Sequence, residues 1–177
     1  DVFKPHGGAK SSVFKVAYSG SFSVAYDFDQ VIRAAELLRD EGVEFLIQGK
    51  GEQGPVIREA IREKGLINVI LFDTLLTREQ VAEYLGEADS LILPLKDFNA
   101  PYPGISSKLY EYQALGKPVI CCSRGSSADY ILDTGSGLIV APGDYEGLVE
   151  AVRFLHGNPQ IAERMGRAGR EYVERHV

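Results

Sequence analysis

The chain has 177 residues, of which 45% are hydrophobic and 25% charged, and its net charge at neutral pH is -6. This length suits one domain with a substantial core, and the composition is ordinary for a soluble α/β protein. The acidic balance argues against non-specific nucleic-acid binding, since no basic stripe is available to neutralise phosphates. No apolar run approaches the roughly 20 residues that span a bilayer, and no signal peptide opens the sequence.

Two adjacent cysteines, Cys121 and Cys122, close a predicted strand. Because neighbouring side chains of a strand point to opposite faces, we do not expect a disulfide framework, and a reducing cytoplasm fits this pair. The histidines His6, His156 and His176 are scattered. No Cys and His cluster has the spacing of metal ligands, so we expect no metal site.

Apolar periodicity predicts strands that alternate with helices after a polar start at residues 1–12, which we interpret as a linker or an arbitrary boundary of the sequence. The predicted strands are 13–18, 44–48, 68–72, 90–94, 119–122 and 137–140. Helices are predicted at 29–39, 55–64, 78–86, 106–114, 127–132, 145–155 and from 159 onward, with Thr77 and Asp144 as caps.

Six strands joined to helices by short connections predict a doubly wound parallel sheet with right-handed crossovers, in one domain over residues 13–177. Ligands of such sheets bind beyond the carboxyl ends of the strands, near the point where the strand order reverses. The loops of interest therefore begin at Gly20, Gly49, Phe72, Pro94 and Cys122.

The stretch 101–118 lies in one of these loops. Ser106 or Ser107 is suited to cap a helix that ends before Gly116, and the free N–H groups at its start form an anion site. Lys108 and Glu111 share a face near that end, whereas Ile105, Leu109, Tyr112 and Leu115 fall on another face, which we assign to the core. A cation beside a carboxylate that can accept from sugar hydroxyls predicts a nucleotide-diphosphate site. A plain crossover helix with a solvated lysine and glutamate fits this stretch equally well.

A second motif is the G-x-G-x-x-G of residues 49–54, which lies between a strand and a helix, with Asp73 about two dozen residues further on. This spacing is typical of dinucleotide-binding proteins. However, the motif follows the second strand rather than the first, and Pro55 follows its last glycine. An NAD- or FAD-type site is therefore an alternative that the position of the motif weakens.

From about Val13 onward the chain resembles the carboxy-terminal half of family-4 glycosyltransferases. Five segments in the right order carry the resemblance: 18–20, 45–51, 93–94 with 103–120, 137–144 and 165–173. The resemblance implies a Rossmann-like domain that binds the donor and forms one half of a two-domain GT-B enzyme. Such enzymes use a nucleotide-diphosphate sugar, usually retain the anomeric configuration and need no metal, so the resemblance implies no cofactor besides the substrate.

The family's signature contains two glutamates separated by seven residues. The second maps to Glu111, which the resemblance implies to bind the ribose hydroxyls, and a carboxylate has two acceptor oxygens suited to a vicinal diol. The alternative is a surface glutamate paired with Lys108. The first glutamate falls at Pro103, which has no side-chain acceptor. Contacts to the donor sugar are therefore assigned to Tyr102 and to the loop residues Gly104, Ile105, Ser106 and Ser107.

The family often carries an arginine and a lysine after the first strand, where this sequence has Ser21 and Tyr26. Lys108 is then the candidate catalytic residue that stabilises the departing diphosphate, with Lys50 as a weaker candidate.

Two further positions are implied to contact the donor. Gly20, with Ser21, is expected to bring backbone N–H groups close to phosphate, unless the glycine serves only a tight turn. Phe72 is placed near the base, unless it is simply a core residue.

The implied function is the donor-binding domain of a retaining glycosyltransferase that uses a nucleotide-diphosphate sugar, in our interpretation a UDP-sugar. The acceptor is a polysaccharide, a lipid-linked sugar or a similar molecule. We expect this fragment to be inactive alone, because the amino-terminal acceptor domain is missing, and we expect any membrane contact through that domain. The alternatives are a non-catalytic nucleotide or sugar-phosphate binding module and an NAD-type dinucleotide-binding domain.

Overall fold

The computed structural model describes residues 2–5, 12–98 and 103–177. Within these ranges six strands alternate with seven helices. The strands are β1 (Phe14–Ser21), β2 (Val43–Lys50), β3 (Val69–Asp73), β4 (Ser90–Pro94), β5 (Val119–Cys122) and β6 (Gly137–Val140). The helices are α1 (Phe28–Leu37), α2 (Gly54–Lys64), α3 (Arg78–Gly86), α4 (Lys108–Ala114), α5 (Ser126–Thr134), α6 (Tyr145–Gly157) and α7 (Pro159–His176).

The strands form one parallel sheet in the order β3-β2-β1-β4-β5-β6. The chain builds one half outward from β1 through β2 to β3, then returns beside β1 and builds the other half from β4 to β6. The strand order therefore reverses between β1 and β4. This arrangement confirms the α/β fold with a doubly wound parallel sheet that the sequence predicts.

Three helices, α1, α3 and α6, start at a short polar side chain that accepts a hydrogen bond from a free backbone N–H group. Asp144 accepts from Gly147 N at 2.8 Å, and Thr77 forms a reciprocal capping box with Gln80. Both caps are the ones that the sequence predicts. None of the described helices is long and apolar enough to cross a membrane.

The core has two layers, because successive residues of each strand alternate between the faces of the sheet. One layer packs under α1, α2 and α6 and includes Val16, Tyr18 and Cys122. The other packs under α3, α4 and α5 and includes Cys121. The two cysteines are therefore free, buried and on opposite faces, as predicted.

Residues 2–5 are packed against the domain. Phe3 is buried in the second core layer, and its carbonyl oxygen accepts from Arg170 Nη1 at 3.1 Å. The same nitrogen donates to Ala114 O at 2.6 Å. Part of the segment that we interpret as a linker is thus tied to α4 and α7.

Candidate functional site

The candidate site lies at the carboxyl edge of the sheet, beyond the ends of the neighbouring strands β1 and β4. Backbone hydrogen bonds join the loop after β1 to the loop after β4. Asp27 N donates to Pro94 O at 2.8 Å, and Lys96 N donates to Ala25 O at 2.9 Å. The segments predicted to bind the donor reach this same edge from different parts of the sequence, because parallel strands all end on the same side.

The side chain of Lys108 extends from the start of α4 to the end of β1. Its ammonium donates to Ser19 O at 2.8 Å and lies 5.4 Å from the centre of the Tyr18 ring. Burial lowers the pKa of Lys108, and the nearby Glu111 carboxylate partly opposes this shift. Among the described ion pairs none includes Lys108. Among the described residues the contacts of this ammonium are thus a backbone carbonyl and an aromatic ring rather than a paired carboxylate.

Gly20 leaves the space that the Lys108 ammonium occupies. A Cβ on Gly20 would lie 2.2 Å from Lys108 Nζ and 2.7 Å from Cε. The end of β1 is also fixed by the Tyr18 hydroxyl, which donates to Ser21 O at 2.6 Å. Gly20 lies within β1 and pairs with Gly49 of β2, so it is not the tight turn that the sequence left open. Its missing side chain is what allows Lys108 to reach β1.

The glycines of residues 49–54 are explained by close packing of the backbone. A Cβ on Gly49 would lie 1.7 Å from Gly20 O, and one on Gly51 would lie 2.8 Å from the Phe22 backbone. Such contacts exclude any side chain. The first two glycines of the dinucleotide-like motif therefore have a structural reason that involves no cofactor.

The end of β3 presents an exposed aromatic ring and a paired carboxylate. Phe72 is 46% exposed, so it is not the core residue that one alternative assumed. Asp73 accepts from Arg58 Nη2 at 2.6 Å and from Lys50 Nζ at 3.2 Å. The hydrogen bond from Arg58, followed by that from Lys50, lowers the pKa of Asp73. Lys50 is therefore occupied with Asp73, which leaves Lys108 as the better candidate for a phosphate contact.

The loop before α4 is described from Pro103 onward, so Tyr102 lies outside the described residues. Ser106 N donates to the Ser127 hydroxyl at 3.1 Å, which ties this loop to the start of α5. Ser107 occupies the N-cap position, but its side chain makes no capping hydrogen bond. The prediction that Ile105 belongs to the core is wrong, because this side chain is 39% exposed. Its position precedes the helix, so helical spacing does not apply to it.

Glu111 lies one turn beyond Lys108 on α4 and is half-buried. Its side chain lines an open groove of about 490 Å³ together with Arg78, Tyr110 and Phe3. The carboxylate is close enough to Lys108 to influence its pKa. The described ion pairs do not join the two residues, so the simple surface pair that the sequence left open is not formed.

The predicted site residues are thus brought together to different degrees. Lys108 contacts the end of β1 at Ser19 and lies beside Gly20, and Glu111 is close enough to influence its pKa. Phe72, near the end of β3, and the loop 104–107 before α4 lie at other points of the same edge. A cation that forms no ion pair within the described part of the chain, an acceptor carboxylate and an exposed ring are groups that can bind an anion, a diol and a planar ring, respectively.

Sequence reasoning missed a buried polar pair behind this edge. Ser19 and Gln48 are the last residues before a glycine in β1 and β2, and the Ser19 hydroxyl donates to the Gln48 amide oxygen. The signal that points to them is a polar residue between a run of apolar residues and a glycine, which occurs at the same register in both strands.

Within the described ranges no group of three or more His, Cys, Asp or Glu side chains is arranged to hold a metal ion.

Comparison with known proteins identifies the family. Residues 2–172 match the family model described as "Glycosyl transferases group 1". A glycogen synthase of Mycobacterium tuberculosis is 25% identical over 159 residues, which are 89% of this chain and 37% of that protein. The chain thus spans well under half the length of this relative.

Solved structures share the fold at low sequence identity. A sucrose-phosphate synthase from Thermosynechococcus elongatus superposes with a TM-score of 0.84 at 21% identity, covering 98% of this chain and 45% of that one. The C-terminal domain of a group 1 glycosyl transferase, LpcC from Francisella tularensis, has a TM-score of 0.78 at 14% identity and coverages of 99% and 95%. Anabaena Alr3699/HepE in complex with UDP and glucose has a TM-score of 0.78 at 17% identity and coverages of 93% and 44%.

Proposed function

The chain belongs to the group 1 glycosyl transferases, and we propose that it is the donor-binding, carboxy-terminal half of a family-4 retaining enzyme with the GT-B fold. The donor is a nucleotide-diphosphate sugar, specifically a UDP-sugar. The acceptor is a polysaccharide, a lipid-linked sugar or a similar molecule. The observation that carries the proposal is the Lys108 ammonium, which donates to Ser19 O at the carboxyl edge of β1 and β4 and takes part in none of the ion pairs formed among the described residues.

Lys108 is the residue that we assign to the chemistry. When the glycosidic bond to the nucleotide breaks, negative charge grows on the departing diphosphate. A cation already in place stabilises that charge more in the transition state than in the ground state, which accelerates the reaction. The Lys108 side chain is held against Ser19 O and the Tyr18 ring before the ligand arrives, so little reorganisation is needed.

The other predicted residues then bind the remaining parts of the donor. Gly20 and Ser21 offer backbone N–H groups to the diphosphate, Glu111 accepts from the ribose hydroxyls, and Phe72 lies against the base. The loop 102–107 contacts the sugar mainly through its backbone, because Pro103 has no side-chain acceptor. No metal and no further cofactor take part in this scheme.

The comparisons support the assignment to the donor half. The relative from Francisella tularensis is described as a C-terminal domain, and this chain covers nearly all of it. The Anabaena neighbour is described in complex with UDP and glucose. We propose that an amino-terminal domain supplies the acceptor pocket and any membrane contact, that the full enzyme acts in the cytoplasm, and that the 177 residues alone do not turn over.

A second candidate is a non-catalytic module that binds a nucleotide or a sugar phosphate. It is favoured by Tyr26, which stands where the family often has a charged residue and whose ring packs edge-on against Tyr18 at 5.3 Å. That residue therefore offers no charge to a phosphate. Transfer from any nucleotide sugar by the full-length protein would exclude this candidate.

The proposal is tested by titrating the chain with UDP, GDP, ADP and NAD in parallel. We expect saturable binding of UDP and a roughly 10- to 100-fold weaker affinity in Glu111→Ala, since hydrogen bonds to a charged group contribute about 1.5–3 kcal/mol. Glu79→Ala is the matched control, because Glu79 is also a first-turn glutamate but is exposed on α3. A preference for NAD, or undiminished UDP binding by folded Glu111→Ala, would contradict the proposal.

A further inference from the structure

We propose that Gln48 is a positioning residue that fixes the separation between the diphosphate end and the base end of the nucleotide site. The inference rests on the proposed function and adds to it a residue outside the predicted donor contacts. It is carried by a hydrogen-bonded chain that runs from Lys108 through Ser19 and Gln48 to Thr74.

The first part of the chain lies between neighbouring strands. Ser19 and Gln48 face each other in the parallel register of β1 and β2, and they are only 5% and 3% exposed. The Ser19 hydroxyl donates to the Gln48 amide oxygen. The carbonyl of the same serine accepts from Lys108 Nζ at 2.8 Å. Ser19 therefore links the lysine that we assign to the diphosphate with the Gln48 amide.

The second part reaches the loop after β3. Gln48 Nε2 donates to Thr74 O at 2.7 Å, and Thr74 N donates to Phe72 O at 3.0 Å, which closes a tight turn. Phe72, which we place against the base, is thus connected to Gln48 through the backbone of Thr74. A single amide group contacts both the strand that receives Lys108 and the turn that presents Phe72.

A buried polar pair is not needed for packing at this position. An apolar side chain could fill the same space without the free-energy cost of removing polar groups from water. An amide and a hydroxyl withdrawn from water are costly unless their hydrogen bonds are made. Here both ends of the Gln48 amide are used. Such a satisfied network stabilises one geometry of the two loops rather than adding general stability.

The geometry has a direct consequence for binding. A nucleoside diphosphate touches both ends of the site at once, whereas inorganic pyrophosphate touches only the Lys108 end. If Gln48 sets the spacing, its loss weakens binding of the whole nucleotide and leaves binding of pyrophosphate unchanged. A residue that only supports the fold would affect both ligands in the same proportion.

The test compares UDP and inorganic pyrophosphate for the wild-type chain and Gln48→Met, by NMR or calorimetric titration. We expect UDP affinity to fall about tenfold, which corresponds to the loss of about one hydrogen bond, with pyrophosphate affinity unchanged. Because Gln48→Met orphans the Ser19 hydroxyl and can impair folding, the double variant Ser19→Ala with Gln48→Met removes both polar groups and gives the same expectation.

Gln30→Met is the matched control. Gln30 is an equally buried amide, 1% exposed, whose nitrogen donates to Ala141 O at 3.1 Å and to Asp144 O at 3.0 Å, away from Ser19 and Thr74. It should lower stability without changing the ratio of UDP to pyrophosphate affinity. Unchanged UDP binding in the Gln48 variants, or equal losses for both ligands, overturns the inference. A wild-type chain that binds none of UDP, GDP and ADP overturns the proposed function itself.

Discussion

Lys108 Nζ lies 2.8 Å from the carbonyl oxygen of Ser19, in space that is open only because the next residue, Gly20, has no side chain. The two residues are 89 positions apart in the sequence. The contact exists because the strand order reverses between β1 and β4, so that α4 begins beside the end of β1. The fold thus places a cation at the position where ligands of doubly wound sheets bind.

Replacing Lys108 by Met should weaken binding of UDP roughly 10- to 100-fold, because a charge-assisted contact to the diphosphate is lost. The measurement is a calorimetric titration. Lys50→Met is the matched control: Lys50 lies at the same edge of the sheet but is paired with Asp73 at 3.2 Å, so its loss should change affinity little. Equal effects of the two substitutions would show that Lys108 has no special part in binding.

The affinity for UDP should fall as the pH rises, beginning below the usual range of a lysine. Burial lowers the pKa of Lys108 in the folded chain, and the anion binds the protonated form. The contribution of Lys108 to the free energy of unfolding, by contrast, increases as the pH rises. The unfolded chain holds this proton more tightly, so the contribution of Lys108 to stability rises as the pH increases through the lowered pKa toward 10.5.

This pH dependence is measured as the ratio of wild-type to Lys108→Met affinity, because the titration of UDP itself is common to both proteins. A ratio that is constant up to the ordinary lysine range would show that the lowered pKa of Lys108 has no influence on binding.

Gly20→Ala should displace the Lys108 side chain, since the added Cβ would lie 2.2 Å from Nζ. We expect a loss of UDP affinity comparable to that of Lys108→Met, and little additional loss when the two substitutions are combined. The control is Gly65→Ala. Gly65 has a φ of +58° and nothing within 4 Å of its Cβ position, so its substitution should destabilise the fold by about 1 kcal/mol and leave binding intact. If the losses of UDP affinity were additive in the double variant, Gly20 would affect binding independently of Lys108.

Phe72→Ala should change the free energy of unfolding by less than about 1 kcal/mol, because the side chain is 46% exposed and surface changes are small. Its effect on UDP should be larger, since stacking of a base on an aromatic ring contributes about 1–3 kcal/mol. Thermal unfolding and titration of the same samples check both statements. Leu75→Ala, at a more exposed apolar position in the loop that follows β3, serves as the comparison. A large loss of stability with unchanged UDP binding would assign Phe72 a structural part.

The fold could be predicted from the sequence because its signals are local. Buried strands such as Leu91-Ile-Leu93, capping residues such as Thr77, and apolar helical spacing all depend on residues within a few positions of each other. The opposite orientation of Cys121 and Cys122 follows from strand geometry alone. The core position predicted for Ile105 is wrong because the helical spacing does not extend before Lys108, where α4 begins.

The details of the site could not be predicted in the same way, because they depend on which strands become neighbours. The contact of Lys108 with Ser19 requires β1 beside β4, and the contact of Gln48 with Thr74 requires β2 beside β3. The glycines at 49 and 51 suggested a cofactor motif, whereas the structure shows that the β1 loop packs against them. The residue types alone indicated which side chains are suited to a binding site, whereas their contact partners follow only from the arrangement of the strands.

The most direct test of the account is a crystal structure of the chain with bound UDP. We expect a diphosphate oxygen at hydrogen-bond distance, about 3 Å, from Lys108 Nζ, with the ribose at Glu111 and the base beside Phe72. A diphosphate bound elsewhere, for example against the loop 49–54, with Lys108 still donating to Ser19 O, would contradict the central claim that this lysine forms the anion site.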